Sequence, residues 1–179
     1  MKQSELIQKL IDVSEKLNKE AKVVEQFPLE QLYHRPNEGA WNALECFEHL
    51  NIYIDIYNNF FDEALAKAPI IMADREIKRG YWGNRFINWM EPKEKGMTKM
   101  NTFKSKNPMG KKLGKDVIQH FIRANSRTID YLEEAKTMDI QKAKCQLAIP
   151  LLKLKLSDAL CFLITHNQRH MIQIQKAAL

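Results

Sequence analysis

Late in the chain, the stretch 163-LITHNQRHMIQIQ-175 places two histidines, His166 and His170, four residues apart. On a helix such residues share a face, with Cβ atoms about 5–6 Å apart, so both imidazoles can reach one ion. A pair alone can equally be a polar accident of one helix face. The metalloprotease version of this spacing, HExxH, needs a glutamate after the first histidine as general base. Here Asn167, Gln168 and Arg169 fill the interval, so that reading fails. A third ligand must come from His34, His49 or His120. His49 is the best placed, at the edge of an apolar helical face beside Phe47 and Leu50. His34 lies in the Pro-bounded stretch Tyr-His-Arg-Pro and reads as surface, and His120 reads as a partly exposed helix residue. Spacing alone leaves a three-histidine site and a plain helical protein as open alternatives.

The elements that must position these residues are helical. A first helix is expected from about Ser4 to Glu25, with Leu6, Leu10, Val13, Leu17, Ala21 and Val24 stepping by three and four. Pro28 and Pro36 hold an irregular link. A second helix starts at Asn42, a good N-cap, with Glu45 in the capping-box place three residues on. Its stripe of Leu44, Phe47, Leu50, Ile54, Tyr57 and Phe61 fades before Pro69. A third spans about Lys115 to Ala135, and a fourth, capped by Ser157, carries Leu160, Leu163, Ile164, Met171 and Ile174. The nearest thing to a strand, 147-LAIPLLKLKL-156, is interrupted by Pro150. Four amphipathic helices with nothing else to cover them imply an all-α, four-helix bundle. The connection from Ala66 to Gly114 is long enough to cross such a bundle, so the second and third helices can lie parallel. Trp82, Phe86 and Trp89 within it are expected to lie against the helices.

The 179 residues fit one domain, 1–179, and 45% of them are apolar. No apolar run approaches the roughly 20 residues that cross a bilayer, and the charged start is not a signal peptide. Cys46, Cys145 and Cys161 form no CxxC pair and read as reduced thiols of a cytoplasmic protein. The net charge of +6 has one location: between Glu91 and Lys115 eight lysines face two acids, and the rest of the chain balances. No nucleic-acid footprint or membrane partner is therefore expected. The lysine-rich connection, about 67–114, reads as a solvated loop, with a lid or an attractor for anions as the functional alternative.

The stretch 41-WNALECFEHL-50, taken with 166-HNQRHMIQI-174, resembles the DinB/YfiT-like superfamily. The resemblance implies a four-helix bundle over about Ser4 to Lys176, ordered up-down-down-up. It implies that His49 of the second helix joins His166 and His170 as ligands of a divalent metal. Gln173 matches a further common position, one turn after the second histidine. The resemblance also implies a homodimer through the sides of the bundle. Its relatives include S-transferases that use a low-molecular-weight thiol such as bacillithiol or mycothiol, and amide hydrolases. The lysine-rich connection is longer here than in compact members.

Three neutral imidazoles leave a position open on the ion, as in catalytic sites. Imidazole suits zinc, nickel, copper or iron, with zinc or nickel expected. The open position can take a water or a thiol. Thiol transfer on a small-molecule substrate is the leading expectation and hydrolysis the next. A non-catalytic stress or detoxification module with a structural or vestigial metal, or an anion-binding protein using the lysines, are the alternatives. Glu45, one turn before His49, is either its ring N–H acceptor or only a capping residue. Trp41 reads as a hydrophobic staple rather than a substrate platform. Asn167 is either an anchor of the site or a buried structural amide.

Overall fold

The structure, a computed structural model, describes residues 1–91, 102–149 and 151–178. In chain order its elements are α1 (Gln3–Glu25), α2 (Leu29–Leu32), α3 (Ala43–Leu65), α4 (Tyr81–Met90), a 3-10 turn (Lys104–Lys106), α5 (Asp116–Ala135), β1 (Lys144–Gln146), β2 (Lys153–Lys155) and α6 (Leu156–Ala178). The protein is thus mostly helical, with one small hairpin. None of the described helices is long and apolar enough to cross a membrane.

The apolar stripes meet in one core. Leu6, Leu10, Leu17, Ala21 and Val24 of α1 are buried, as are Phe47, Leu50, Ile54, Tyr57 and Phe61 of α3. Helix α3 begins where its capping box predicts: the Asn42 side chain accepts the Glu45 N–H (2.9 Å), and Glu45 Oε2 accepts the Asn42 N–H (3.1 Å).

Side-chain hydrogen bonds give the helix directions. Asn51 donates to the Val117 carbonyl (2.8 Å), and Asn58 donates to the Ala124 carbonyl (2.9 Å) while accepting from the Thr128 hydroxyl. Tyr131 then donates to Asp62 (3.3 Å). Partners that ascend together make α3 and α5 parallel, which is why a long connection separates them. Helix α1 opposes α5, since Gln3 bonds the Ala135 carbonyl at one end and Asn125 bonds the Ser14 carbonyl at the other. Helix α6 opposes α3, because Tyr53 lies beside His166 and Tyr57 beside Phe162.

Several expectations need correction. Ser157 is not a cap: α6 starts a residue earlier, directly from β2, and the Ser157 N–H donates to the Ile140 carbonyl (3.0 Å). The stretch 147–156 does contain a strand, β2, which pairs with β1 just before it, with Cys145 opposite Leu154, Lys144 and Gln146 flanking the one and Lys153 and Lys155 the other. Three residues per strand are too few for alternation to register in the sequence, and Pro150 lies outside the described residues. The connection also holds a helix, α4, whose buried residues are Gly83, Ile87 and Met90. Of the three aromatics expected against the helices only Phe86 is, meeting Phe162 edge-on at 6.4 Å; Trp82 and Trp89 are exposed. The approach of α4 to α6 demands glycine: a Cβ on Gly83 would stand 2.3 Å from the Asp158 carboxyl. Asp158 in turn accepts the Gly80 N–H (3.0 Å) at the start of α4. Lysines 93, 95 and 99 of the basic stretch lie outside the described residues. Those at 104–115 sit on a segment that returns along the start of α3.

Candidate metal centre

The second turn of α3 supplies His49, and two successive turns of α6 supply His166 and His170. Because the two helices oppose each other side by side, the three rings converge. Their centroids lie 5.3 Å (His49–His166), 4.7 Å (His49–His170) and 4.6 Å (His166–His170) apart. One ligating nitrogen from each lies within 4.8 Å of the others. Modest side-chain rotation brings nitrogens so placed onto one ion, at the about 2.0–2.1 Å typical of zinc–imidazole bonds. His49 and His166 are buried, whereas His170 is partly exposed, which leaves one side open.

The hydrogen bonds behind the rings fix which nitrogen faces the cluster. His49 Nδ1 lies 3.0 Å from the Lys106 carbonyl, and His170 Nδ1 lies 3.0 Å from Gln173 Oε1. Both oxygens only accept, so both Nδ1 atoms carry the proton and each Nε2 keeps its lone pair. Such backing is what metal-bound histidines require. His166 differs: its Nδ1 is buried and meets no well-formed hydrogen-bond partner, with only the adjacent Asn167 amide acting on the ring. A buried polar atom left unpaired is costly unless something satisfies it, and three neutral imidazoles gathered at one point suit a cation. The residues present fit a divalent metal.

The cluster also stays uncharged. Burial lowers the pKa of His49 to about 4, against the pull of the Lys106 carbonyl. Burial, and next the adjacent His49, brings His170 to about 3. Burial and then both neighbouring histidines hold His166 well below the usual imidazole range. Neutral imidazole is the ligand form.

Glu45 lies one turn before His49 but does not serve its ring. Its Oε1 accepts from Arg35 Nη2 (2.6 Å) and from the Gly110 N–H (2.6 Å). Its Oε2 accepts from Arg35 Nη1 (2.7 Å) and from the Asn42 N–H. Burial raises the Glu45 pKa, but these donors outweigh it and the carboxyl sits below its usual value.

Two aromatic walls went unrecognised in the sequence. Trp41, read as a staple, places its ring 4.7 Å from that of His49 and stacks on His170 at 6.1 Å, its indole N–H held by Asn107 Oδ1 (3.0 Å). Tyr53 packs between His49 (4.9 Å) and His166 (5.0 Å). Its spacing four residues after His49 was the available signal. Gln173 does reach the site, through His170. Asn167 is fully buried beside it, with neither amide atom hydrogen-bonded. His34 is exposed, and His120 pairs with Asp55 (3.0 Å) away from the cluster. The three cysteines are buried free thiols whose pKa burial raises, so none offers a thiolate at neutral pH. Two surface grooves, one bounded by Phe60, Lys67 and Lys153 and one by Asp55, His120 and Arg127, lie elsewhere.

Among known families, the model of the DinB superfamily matches residues 18–174. No curated protein and no solved structure matches the chain.

Proposed function

The chain belongs to the DinB superfamily, and on that premise we propose that His49, His166 and His170 hold one divalent ion, zinc or nickel, in a metal-dependent enzyme that acts on a small molecule. The observation that carries the reading is the convergence of three neutral imidazoles, two of them with Nε2 freed by a hydrogen bond behind the ring. We read α1, α3, α5 and α6 as the four-helix bundle in up-down-down-up order, which delivers one ligand from α3 and two from its antiparallel neighbour.

A divalent ion held there supplies Lewis acidity to a water or a thiol that reaches it. Thiol transfer is favoured over hydrolysis by the state of Glu45. Hydrolysis calls for a group that takes the proton of water, and the carboxylate one turn from His49 has both oxygens filled by Arg35, Gly110 and Asn42. A thiol, with a pKa near 8.5, is close to ionising at neutral pH and needs no such base. The walls suit an organic substrate: Trp41 offers a flat face beside His49 and His170. Burial raises the Tyr53 pKa, so its hydroxyl keeps its proton and can donate a hydrogen bond. A low-molecular-weight thiol is the proposed co-substrate, a homodimer the proposed assembly and the cytoplasm the proposed compartment.

Metal analysis of untagged protein tests the site. About one equivalent is expected, and none in His49→Ala. No stoichiometric metal in the parent protein, or an undiminished content in the variant, would remove the site. Thiol transfer is tested by disappearance of a model electrophile that depends on both the thiol and the metal. Light scattering after size exclusion tests the dimer.

A further inference from the structure

We propose that Glu45 is a positioning residue for the centre: it pins the strap of residues 106–113 to the start of α3, and the strap's Lys106 carbonyl sets the tautomer of His49. The inference rests on the three-histidine reading above. His49 shows one acceptor on Nδ1, and it is this carbonyl, at 3.0 Å. A peptide oxygen is only as well placed as the segment that bears it. The 3-10 turn ends at Lys106, so no long element carries this oxygen.

The strap is held from outside instead. Four residues beyond Lys106, the Gly110 N–H donates to Glu45 Oε1 at 2.6 Å, among the shortest bonds to that carboxylate. Gly110 has φ +82°, a conformation that glycine adopts without strain, and it is this geometry that points its N–H at Glu45. Between the two, Asn107 Oδ1 accepts both the Trp41 indole N–H (3.0 Å) and the Met109 N–H (3.2 Å). Further along, Lys111 pairs with Glu48 (2.7 Å), and the Leu113 N–H donates to the Tyr33 hydroxyl (3.2 Å).

Among these anchors Glu45 alone is buried and ionic at once. Arg35 grips both its oxygens, and the Asn42 N–H takes a further position, so the carboxylate cannot swing toward another partner. Carboxylate, peptide and imidazole therefore form a relay, in which the backbone stands where a direct carboxylate–histidine bond would otherwise be. Without the strap the Nδ1–H of His49 loses its acceptor. The ring is then free to move its proton to Nε2, the atom that faces His166 and His170, where a protonated nitrogen cannot ligate.

The test reads the ring directly. In metal-free protein at pH 8, long-range proton–nitrogen correlation spectra of the imidazoles should show His49 protonated on Nδ1. Glu45→Gln, and separately Asn107→Ala, which loosens the strap without touching the capping box, should give a mixed or Nε2-protonated ring. Both should weaken Co2+ binding about 10- to 100-fold, the usual cost of losing a partner behind a ligand. Asn42→Ala is the control: it removes the cap side chain but leaves the carboxylate and strap in place. It should lower the melting temperature and leave the tautomer unchanged. If Glu45→Gln does not fold, Asn107→Ala decides. An Nδ1-protonated His49 in every folded strap variant overturns the proposal, as does an equal tautomer shift in Asn42→Ala. A parent protein that binds no Co2+ refutes the metal reading, while the tautomer comparison still decides the relay.

Discussion

Acidifying the metal-free protein from pH 7 to pH 5 should destabilise it severely, through the histidine cluster. In the unfolded chain each imidazole titrates near 6.5. In the folded protein burial holds His49 at about 4, His170 at about 3 and His166 well below the usual range. A lowered folded pKa on a base means that the unfolded state binds more protons. The stability is therefore complete above about pH 6.5 and is lost as the pH falls toward the folded values. At pH 5 about 97% of unfolded rings are protonated but only about a tenth of folded His49. The step from pH 7 to 5 then removes about 2 kcal/mol per ring, or about 5–6 kcal/mol for the cluster. That rivals the 5–15 kcal/mol that typically holds a domain together. Urea midpoints measured with chelator at half-unit steps between pH 7 and 5 would follow it. A variant with all three histidines changed to leucine should be nearly flat over this window, and His166→Leu should lose about a third of the parent's slope. A triple variant that keeps the full slope would refute the reasoning, because the proton uptake would then belong to other groups.

Other outcomes follow from single side chains. His166→Leu with chelator present should be about 1–2 kcal/mol more stable than the parent, since it removes a buried nitrogen with no well-formed partner. The same variant should lose the rise in melting temperature that zinc gives the parent in differential scanning fluorimetry. Phe47→Ala empties a fully buried site beside Phe121, whose ring lies 5.5 Å away, and should cost about 3–5 kcal/mol in chemical denaturation. Arg35→Met leaves the buried Glu45 without its cation and should cost about 2–3 kcal/mol, less than a wholly buried pair because Arg35 is partly exposed. The parent and the Arg35 variant should converge at low pH, where the carboxyl is neutral in both states.

What the sequence disclosed follows physical scale. The four long helices were legible because twenty or more residues repeat their apolar spacing several times, and α3 began at its capping box as Asn42 and Glu45 indicated. The hairpin of β1 and β2 was not, because Cys145 and Leu154 are single inward positions in strands too short to show a period. Helix α4 was missed because its buried face is carried by Gly83, Ile87 and Met90 while its tryptophans point outward, against the usual preference. At the site, two histidines on one helix announce themselves by spacing, and His49 needed both a helix face and a family pattern. The Lys106 carbonyl could not be read at all, since every residue owns one and only the fold decides where it points. Arg35 and Gly110 were hidden for a related reason: Glu45 already had a local explanation as a capping residue, and its second and third partners come from outside α3.

His49 and His166 stand 117 positions apart, with His170 just beyond. During synthesis the first jaw of the clamp therefore exists long before the second. A chain that has not yet released α6 from the ribosome offers a single imidazole of the three, too few to retain an ion against cellular competitors. On the proposed reading, metal capture is a late event that certifies a finished product: an ion held by all three histidines can lodge only after the last helix has docked antiparallel to α3. A nonsense codon just ahead of position 166 yields a chain that keeps most of the core residues but only His49 of the three histidines.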